Sequence, residues 1–210
     1  SLADPGGCTI HEALLSFLAT PHEPYPLEMH ELSHHRVRER LIYQDHLDRD
    51  MDADLIIFLS RHSSVNPVPV LTVHVTGNIT SADFGGRARS LAPAAPAWMH
   101  AVLRGLSANA PPGYRVAYEV THHGPSELST PSLFAEVGST EKEWRDTAAG
   151  AAVARSVLSA EPADCISLIG FGGTHYAARQ THIALNTRGA FGHITHTREV
   201  PSLDAAMVDL

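Results

Sequence analysis

The chain has 210 residues, 43% hydrophobic and 18% charged, which is enough to bury one sizeable core, and no stretch is long and apolar enough to span a membrane. A net charge of −8 excludes a protein that coats nucleic acid nonspecifically, because neutralising phosphates needs a basic surface, but it leaves room for a local basic site. Cys8 and Cys165 are the only cysteines, and Cys165 opens the apolar run Cys165-Ile166-Ser167-Leu168-Ile169, which reads as a packed thiol rather than half of a disulfide and fits a reducing cytoplasm.

Asp4-Pro5-Gly6-Gly7 is a turn, and Ile10, Leu14, Leu15 and Leu18 recur after it at helical spacing, as in the helix that follows a first strand. The stretch Pro21 to Pro26 breaks that helix, and Leu27 to Leu32 alternates as a half-buried strand does. The runs Leu55 to Leu59 and Val70 to Val75 suit buried parallel strands, with the polar loop Arg61-His62-Ser63-Ser64 between them. A helix is expected over Pro93 to Leu106, with Pro96 in its first turn and Trp98, Val102 and Leu106 facing inward. Strands are expected over Arg115 to Thr121 and Leu133 to Val137, and one helix over Thr140 to Leu158 behind a Thr140-Glu141-Lys142-Glu143 capping box. A last strand covers Cys165 to Phe171, a helix starts near His175, and Leu203 to Leu210 reads as helix. The alternation predicts an α/β fold: a single layered domain, with a mostly parallel or mixed central sheet flanked by helices.

Chemistry concentrates where strand-like runs give way to glycine or proline: Thr121-His122-His123-Gly124-Pro125, Glu136-Val137-Gly138-Ser139 and Gly170-Phe171-Gly172-Gly173-Thr174-His175-Tyr176. Open α/β sheets place ligands at such strand ends, so these groups are expected to meet at one end of the sheet. His122 and His123 cannot both face one side if the strand continues through them, because successive strand side chains alternate, unless the Gly124-Pro125 turn re-aims one. With Glu136, His175 and His193 they offer ligands suited to zinc, although no sequence-local zinc spacing is present, and a metal-free acid-base site stays open. Gly172 and Gly173 could bring backbone close to a ligand or serve a tight turn; their spacing is not a dinucleotide fingerprint, and no P-loop lysine accompanies them. The chain lacks the G-x-S-x-G elbow of serine hydrolases. Fourteen of the fifteen basic residues are arginines, and Arg36, Arg38 and Arg40 form one compact positive segment, which charge alone reads as a solvated face.

In order, Arg61-His62-Ser63-Ser64, His74-Val75-Thr76-Gly77-Asn78, Gly85-Gly86, Thr121-His122-His123-Gly124-Pro125, Glu136-Val137-Gly138-Ser139-Thr140-Glu141-Lys142-Glu143-Trp144, Gly170-Phe171-Gly172-Gly173-Thr174-His175-Tyr176 and Gly192-His193-Ile194 closely resemble the archaeal and plant type of D-aminoacyl-tRNA deacylase. The resemblance covers nearly the whole chain. It implies a fold like that of peptidyl-tRNA hydrolases and phosphorylases, and a cytoplasmic, zinc-associated esterase that removes D-amino acids from tRNA with broad side-chain tolerance. It also implies that residues 1–210 form one deacylase-like domain lacking its first strand and a C-terminal portion, and it is joined here by the expectation of a monomer. Residue chemistry then assigns catalysis to His122, His123, His175 and Glu136, and metal binding to the same four with His193; His74 stands second with His193. Thr121, Tyr176, Ser63, Gly172 and Gly173 are expected at the substrate, with a backbone amide near the two glycines stabilising the oxyanion. Arg36, Arg38 and Arg40 are expected to hold the acceptor stem. A peptidyl-tRNA or N-acyl-aminoacyl-tRNA hydrolase, and a noncatalytic RNA-end or nucleoside-binding module, are the alternatives.

Overall fold

A computed structural model describes residues 1–20, 24–65 and 67–208. The first helix is set by its cap: the Asp4 carboxylate accepts from the Gly7 N–H at 2.8 Å, Pro5 takes the first helical position, and α1 (Pro5–Ala19) buries Ile10 and Leu14. The same carboxylate accepts from the Ser60 hydroxyl and the Arg61 N–H, which ties the helix start to the end of the first strand.

Four strands form a mixed sheet in the order β1-β6-β2-β5: β1 (Ile56–Arg61), β2 (Val70–His74), β5 (Arg115–Tyr118) and β6 (Ser132–Gly138). β6 runs parallel to β1 and antiparallel to β2, and β2 runs parallel to β5. The expected parallel runs at 55–59 and 70–75 are therefore not neighbours; β6 lies between them. β3 (Gly77–Asn78) and β4 (Ser90–Leu91) make a short antiparallel pair. β7 (Ile166–Phe171) and β8 (Gly189–Thr195) make a parallel pair that docks on the chain leaving β5. There the Val120 N–H donates to the His175 carbonyl at 3.0 Å and the Thr121 N–H to the Ile194 carbonyl at 2.7 Å.

Side-chain alternation divides the sheet into two environments. Leu133, Ala135 and Val137 of β6, Leu71 and Val73 of β2, and Tyr118 of β5 join the main core with α1, α2 (Pro96–Asn109) and α4 (Thr147–Leu158). Residues of the other parity, Phe134 and Glu136 of β6, Thr72 and His74 of β2, and Phe58 of β1, lie on the opposite face, where Leu41, Ile56, Phe58, Leu128 and Phe134 make a smaller apolar cluster. The functional groups collect on that second face.

Several expected elements are revised. Residues 27–32 are not a strand: Pro26–Met29 is a short 3-10 helix, Met29 is exposed, and the chain beyond it is irregular. Pro21, His22 and Glu23, within the expected break, lie outside the described residues. The capping box forms, with the Glu143 carboxylate accepting from the Thr140 N–H and hydroxyl, but the helix stops after α3 (Glu141–Trp144). Asp146 then caps α4 afresh by accepting from the Ala148 and Ala149 N–H groups. α2 starts at Pro96 and keeps Val102 and Leu106 buried with Trp98 half-buried. α5 (Ala178–Asn186) starts three residues past His175, and α6 (Ala205–Val208) closes the described chain. Both cysteines are free and half-buried.

Candidate functional site

The strands of the sheet bring four imidazole or carboxylate groups to the second face: His62 just past β1, His74 at the end of β2, Glu119 just past β5 and Glu136 in β6. All four are buried. The docking of β7 and β8 on residues 118–121 adds His175 and Tyr176, and the turn after β5 adds His122 and His123. Glu119 lies at the centre, with its carboxylate 3.0 Å from His62 Nδ1, 2.9 Å from His175 Nε2 and 3.5 Å from His122 Nε2. Glu136 lies 3.6 Å from His62 Nδ1 and 3.8 Å from His74 Nε2. The imidazoles also touch one another, with ring centroids 4.7 Å apart for His74 and His122, 4.7 Å for His122 and His175, and 4.4 Å for His122 and His123.

The strand does not continue through the two adjacent histidines. His123 takes a left-handed backbone (φ +52), so the chain turns there and both rings come to the same side, which strict alternation forbids. Backbone carbonyls then fix the ring orientations. His74, His122 and His123 each place Nδ1 on a carbonyl, at 3.1, 2.8 and 2.6 Å, so Nδ1 carries the hydrogen and Nε2 presents its lone pair.

Charge is distributed to match. Burial, the largest influence, works to lower His62 and His74, but Glu119 and Glu136 outweigh it, pushing His62 up to about 11 and raising His74. Burial likewise works to raise both carboxyls, yet the neighbouring imidazoles, His62 first, hold Glu119 well below the usual carboxylate range and Glu136 down at about 2. His122 and His123 go the other way: burial together with nearby imidazoles holds His122 well below its ordinary value and His123 at about 4, so both are neutral at pH 7. Two ionised carboxylates in a dry setting demand positive charge, and a cation can supply it as well as protons can.

The donor set fits a metal ion. Both Glu119 oxygens and His74 Nε2 lack an aligned hydrogen-bond partner although they are buried; the imidazole nitrogens approach Glu119 closely but off the hydrogen-bond line. Three groups bring one ligand atom each within 4.8 Å of the others: His62, Glu119 and His175; His74, His122 and His123; and His74, Glu119 and Glu136. Imidazole nitrogen and carboxylate oxygen are the ligands zinc takes in catalytic sites.

The structure brings His122, His123, His175, Glu136 and His74 together, and adds Glu119, which lies in none of the motifs, and His62, whose motif Arg61-His62-Ser63-Ser64 carried no assigned role for it. It does not bring in His193. Both its ring nitrogens are engaged, Nδ1 with the Thr121 hydroxyl at 3.0 Å and Nε2 with the Ala92 carbonyl at 3.0 Å, and burial lowers it to about 4. Thr121 is buried, and its hydroxyl also accepts from the Ile194 N–H, so it locks the β5–β8 junction instead of facing a substrate. Tyr176 is half-buried, with its hydroxyl 2.9 Å from His62 Nε2. Gly172 and Gly173 have φ of +78 and +127, which explains glycine at both; a Cβ would meet only ordinary contacts with Thr197 and Gln180. The Gly173 N–H donates to the Thr197 hydroxyl at 2.8 Å, so that amide is not free to stabilise an oxyanion. Ser63 is exposed beside His62, and Arg36, Arg38 and Arg40 are exposed in the irregular segment after Met29, with Arg36 3.2 Å from His11. No helix among the described residues is long and apolar enough to cross a membrane.

Residues 49–210 match the family model described as D-aminoacyl-tRNA deacylase. Curated relatives of that name include one from Methanoculleus marisnigri, 59% identical over 209 residues, covering 99% of this chain and 48% of the relative. Another, from Methanosphaerula palustris, is 56% identical over 208 residues, covering 99% of this chain and 47% of the relative. A relative from Archaeoglobus fulgidus is 47% identical over 165 residues, with 74% of this chain and 59% of the relative covered. The chain thus spans about half the length of the first two. A crystal structure of a conserved protein of unknown function superimposes with a TM-score of 0.86 at 40% identity, covering 98% of this chain and 77% of that one.

Proposed function

We propose, for a chain that belongs to the D-aminoacyl-tRNA deacylase family, that it hydrolyses the ester between a D-amino acid and the terminal ribose of tRNA, as a zinc-dependent monomer of the cytoplasm with broad side-chain tolerance. The observation that carries this reading is the buried Glu119 carboxylate, without an aligned hydrogen bond and ringed by His62, His175 and His122 at 2.9–3.5 Å. Such a group holds a cation better than it holds a fold together.

His62, Glu119 and His175 would hold zinc, and His74 and His123 are further nitrogen donors in the same cluster. Zinc, when bound, supplies a Lewis acid that lowers the pKa of water and polarises the ester carbonyl. The remaining roles fall to the chain itself. His122, partly open to solvent and unprotonated on Nε2, is placed to take the proton that the attacking water gives up. As the bond from the carbonyl carbon to the ribose oxygen breaks, the same nitrogen returns that proton to the ribose. The products are a free D-amino acid and tRNA with its terminal hydroxyl restored. Glu136 holds His62 and His74 in place, and the backbone at Gly172 and Gly173, fixed by Thr197 and Gln180, is assigned as the wall that rejects the L configuration by steric conflict.

The test compares D-tyrosyl-tRNA, L-tyrosyl-tRNA and N-acetyl-D-tyrosyl-tRNA with metal-stripped and zinc-restored protein. Turnover confined to the free-amine D substrate, lost on stripping and regained with zinc, is expected. Equal turnover of D and L, preference for the N-blocked substrate, or full activity in rigorously metal-free protein would refute the corresponding part of the reading.

A further inference from the structure

We propose that Tyr176 is a catalytic residue: its hydroxyl accepts a hydrogen bond from His62 and donates its own proton to the carbonyl oxygen of the ester. The proposal rests on the hydrolase reading above and adds a group to it.

The phenolic oxygen lies 2.9 Å from His62 Nε2 and 3.5 Å from Ser139 Oγ. The other nitrogen of His62, Nδ1, faces Glu119 at 3.0 Å and Glu136 at 3.6 Å. When Nδ1 faces a cation held with Glu119 and His175, the ring hydrogen must sit on Nε2, and the Tyr176 oxygen accepts it. Only a neutral ring with its hydrogen on Nδ1 would leave Nε2 bare and take up the phenolic proton. In a neutral ring without a cation the two carboxylates beside Nδ1 would favour that tautomer, so the zinc-loaded ring is the state in which Tyr176 takes this role.

Among the described residues, the acceptor that competes for the freed phenolic proton is the Ser139 hydroxyl. That hydroxyl spends its own hydrogen on the Val68 carbonyl at 2.7 Å, and at 3.5 Å from Tyr176 it sits at the limit of a useful bond. Tyr176 is half-buried beside His175, whose side chain is 39% exposed, so the phenol lies at the solvent-facing edge of the cluster, where the proposal places the ester. As water adds to the carbonyl carbon, the carbonyl electron pair moves onto oxygen, and a preset donor stabilises that charge. The bond from His62 polarises the phenol and makes it a stronger donor. This supplies the donor that the Gly173 amide, engaged by Thr197, does not.

Two measurements test it, both on the whole chain. In zinc-loaded protein, nitrogen-15 chemical shifts of His62 should show Nε2 protonated; a bare Nε2 would overturn the proposal whatever the activity. Tyr176→Phe, which keeps the ring, should lower kcat on D-tyrosyl-tRNA by about 10²–10³-fold, the range for loss of one oxyanion donor, with KM within about twofold and the zinc content of the parent. An active parent with an equally active Tyr176→Phe overturns this proposal alone, as does a variant whose loss follows loss of zinc. A parent that leaves D-tyrosyl-tRNA intact overturns the hydrolase reading and this role with it.

Discussion

Gly138 ends β6 opposite Val70, directly behind His62. An alanine Cβ there would lie 2.7 Å from His62 Cβ, 2.8 Å from its ring and 2.9 Å from its carbonyl oxygen, where ordinary contact begins near 3.4 Å. His62 has little room to give way. Its ring is held between Glu119 at 3.0 Å and the Tyr176 hydroxyl at 2.9 Å, and its carbonyl accepts from Trp144 Nε1 at 2.7 Å. Its N–H donates to the Val137 carbonyl at 2.9 Å. Gly138→Ala must therefore push His62 by about 0.7 Å, the shortfall in that closest contact. Overpacking of this kind costs about 1–3 kcal/mol. In a domain of this size each kcal/mol lowers Tm by about 2–4 °C, so a fall of about 2–12 °C is expected. Misplacing a reacting group by about 1 Å can cost about 10²-fold in rate, which sets the expected loss of kcat at about 10–100-fold. Thermal melts and single-turnover deacylation of D-tyrosyl-tRNA measure the two effects on one sample. Parent-like kcat beside the expected fall in Tm would refute the reasoning, because it would mean that the position of His62 does not matter to the chemistry.

Removing the central carboxylate should uncouple zinc from stability. At free zinc about 100-fold above Kd the parent should gain about 2.7 kcal/mol, and Glu119→Gln should lose most of that gain; equal zinc-induced rises in Tm would take Glu119 out of the donor set. Replacing Arg36, Arg38 and Arg40 by alanine should raise KM for D-tyrosyl-tRNA and flatten its salt dependence while leaving kcat within about twofold, and an unchanged salt slope would return the segment to an ordinary solvated face. Glu143 supplies a pH dependence of stability. Burial works to raise its pKa, but the hydroxyl and N–H of Thr140 outweigh it, so the folded value lies below 4.5. Its contribution is therefore present above the unfolded value and is lost as pH falls through the folded one. The stability gap between the parent and Glu143→Gln should be about 0.5–2 kcal/mol at neutral pH and close on acidification; a gap that persists unchanged to about pH 3 would contradict this.

The periodic elements were legible because their patterns have one reading. Ile10 and Leu14 at helical spacing, and the run Leu133 to Val137, apolar but for Glu136, specify α1 and β6 directly. Strand order was not legible, since an apolar run looks the same whether its neighbour runs parallel or antiparallel, and only tertiary pairing places β6 between β1 and β2. Alternation misled at Leu27 to Leu32, where Met29 faces solvent and Pro26 opens a 3-10 turn. It misled again at His122 and His123, where a left-handed residue before Gly124-Pro125 defeats the period of two.

The site was half legible for a related reason. Glycine and proline marked the turns that carry His122, His123 and His175, but they could not mark Glu119 or His62, which lie at the ends of strands. The overlooked signal for Glu119 was a single carboxylate in the apolar run Val116-Ala117-Tyr118-Glu119-Val120, because a charge in such a run is costly unless something pairs with it. His62 shares parity with Ile56 and Phe58 of β1, and His74 and Glu136 share parity with Thr72 and Phe134, so these three were committed to one face once the register was fixed. The groups meet as expected, but on one face of the sheet rather than at one end of it, for the same cause. With β6 antiparallel to β2 the sheet has no common carboxyl end, and His74 at the end of β2 lies opposite Phe134, early in β6. Ligands recruited across strands about 4.8 Å apart leave no fixed spacing along the chain. That is why a cluster holding three possible metal-binding groups contains none of the local zinc motifs, and why its members follow from parity and pairing rather than from sequence neighbours.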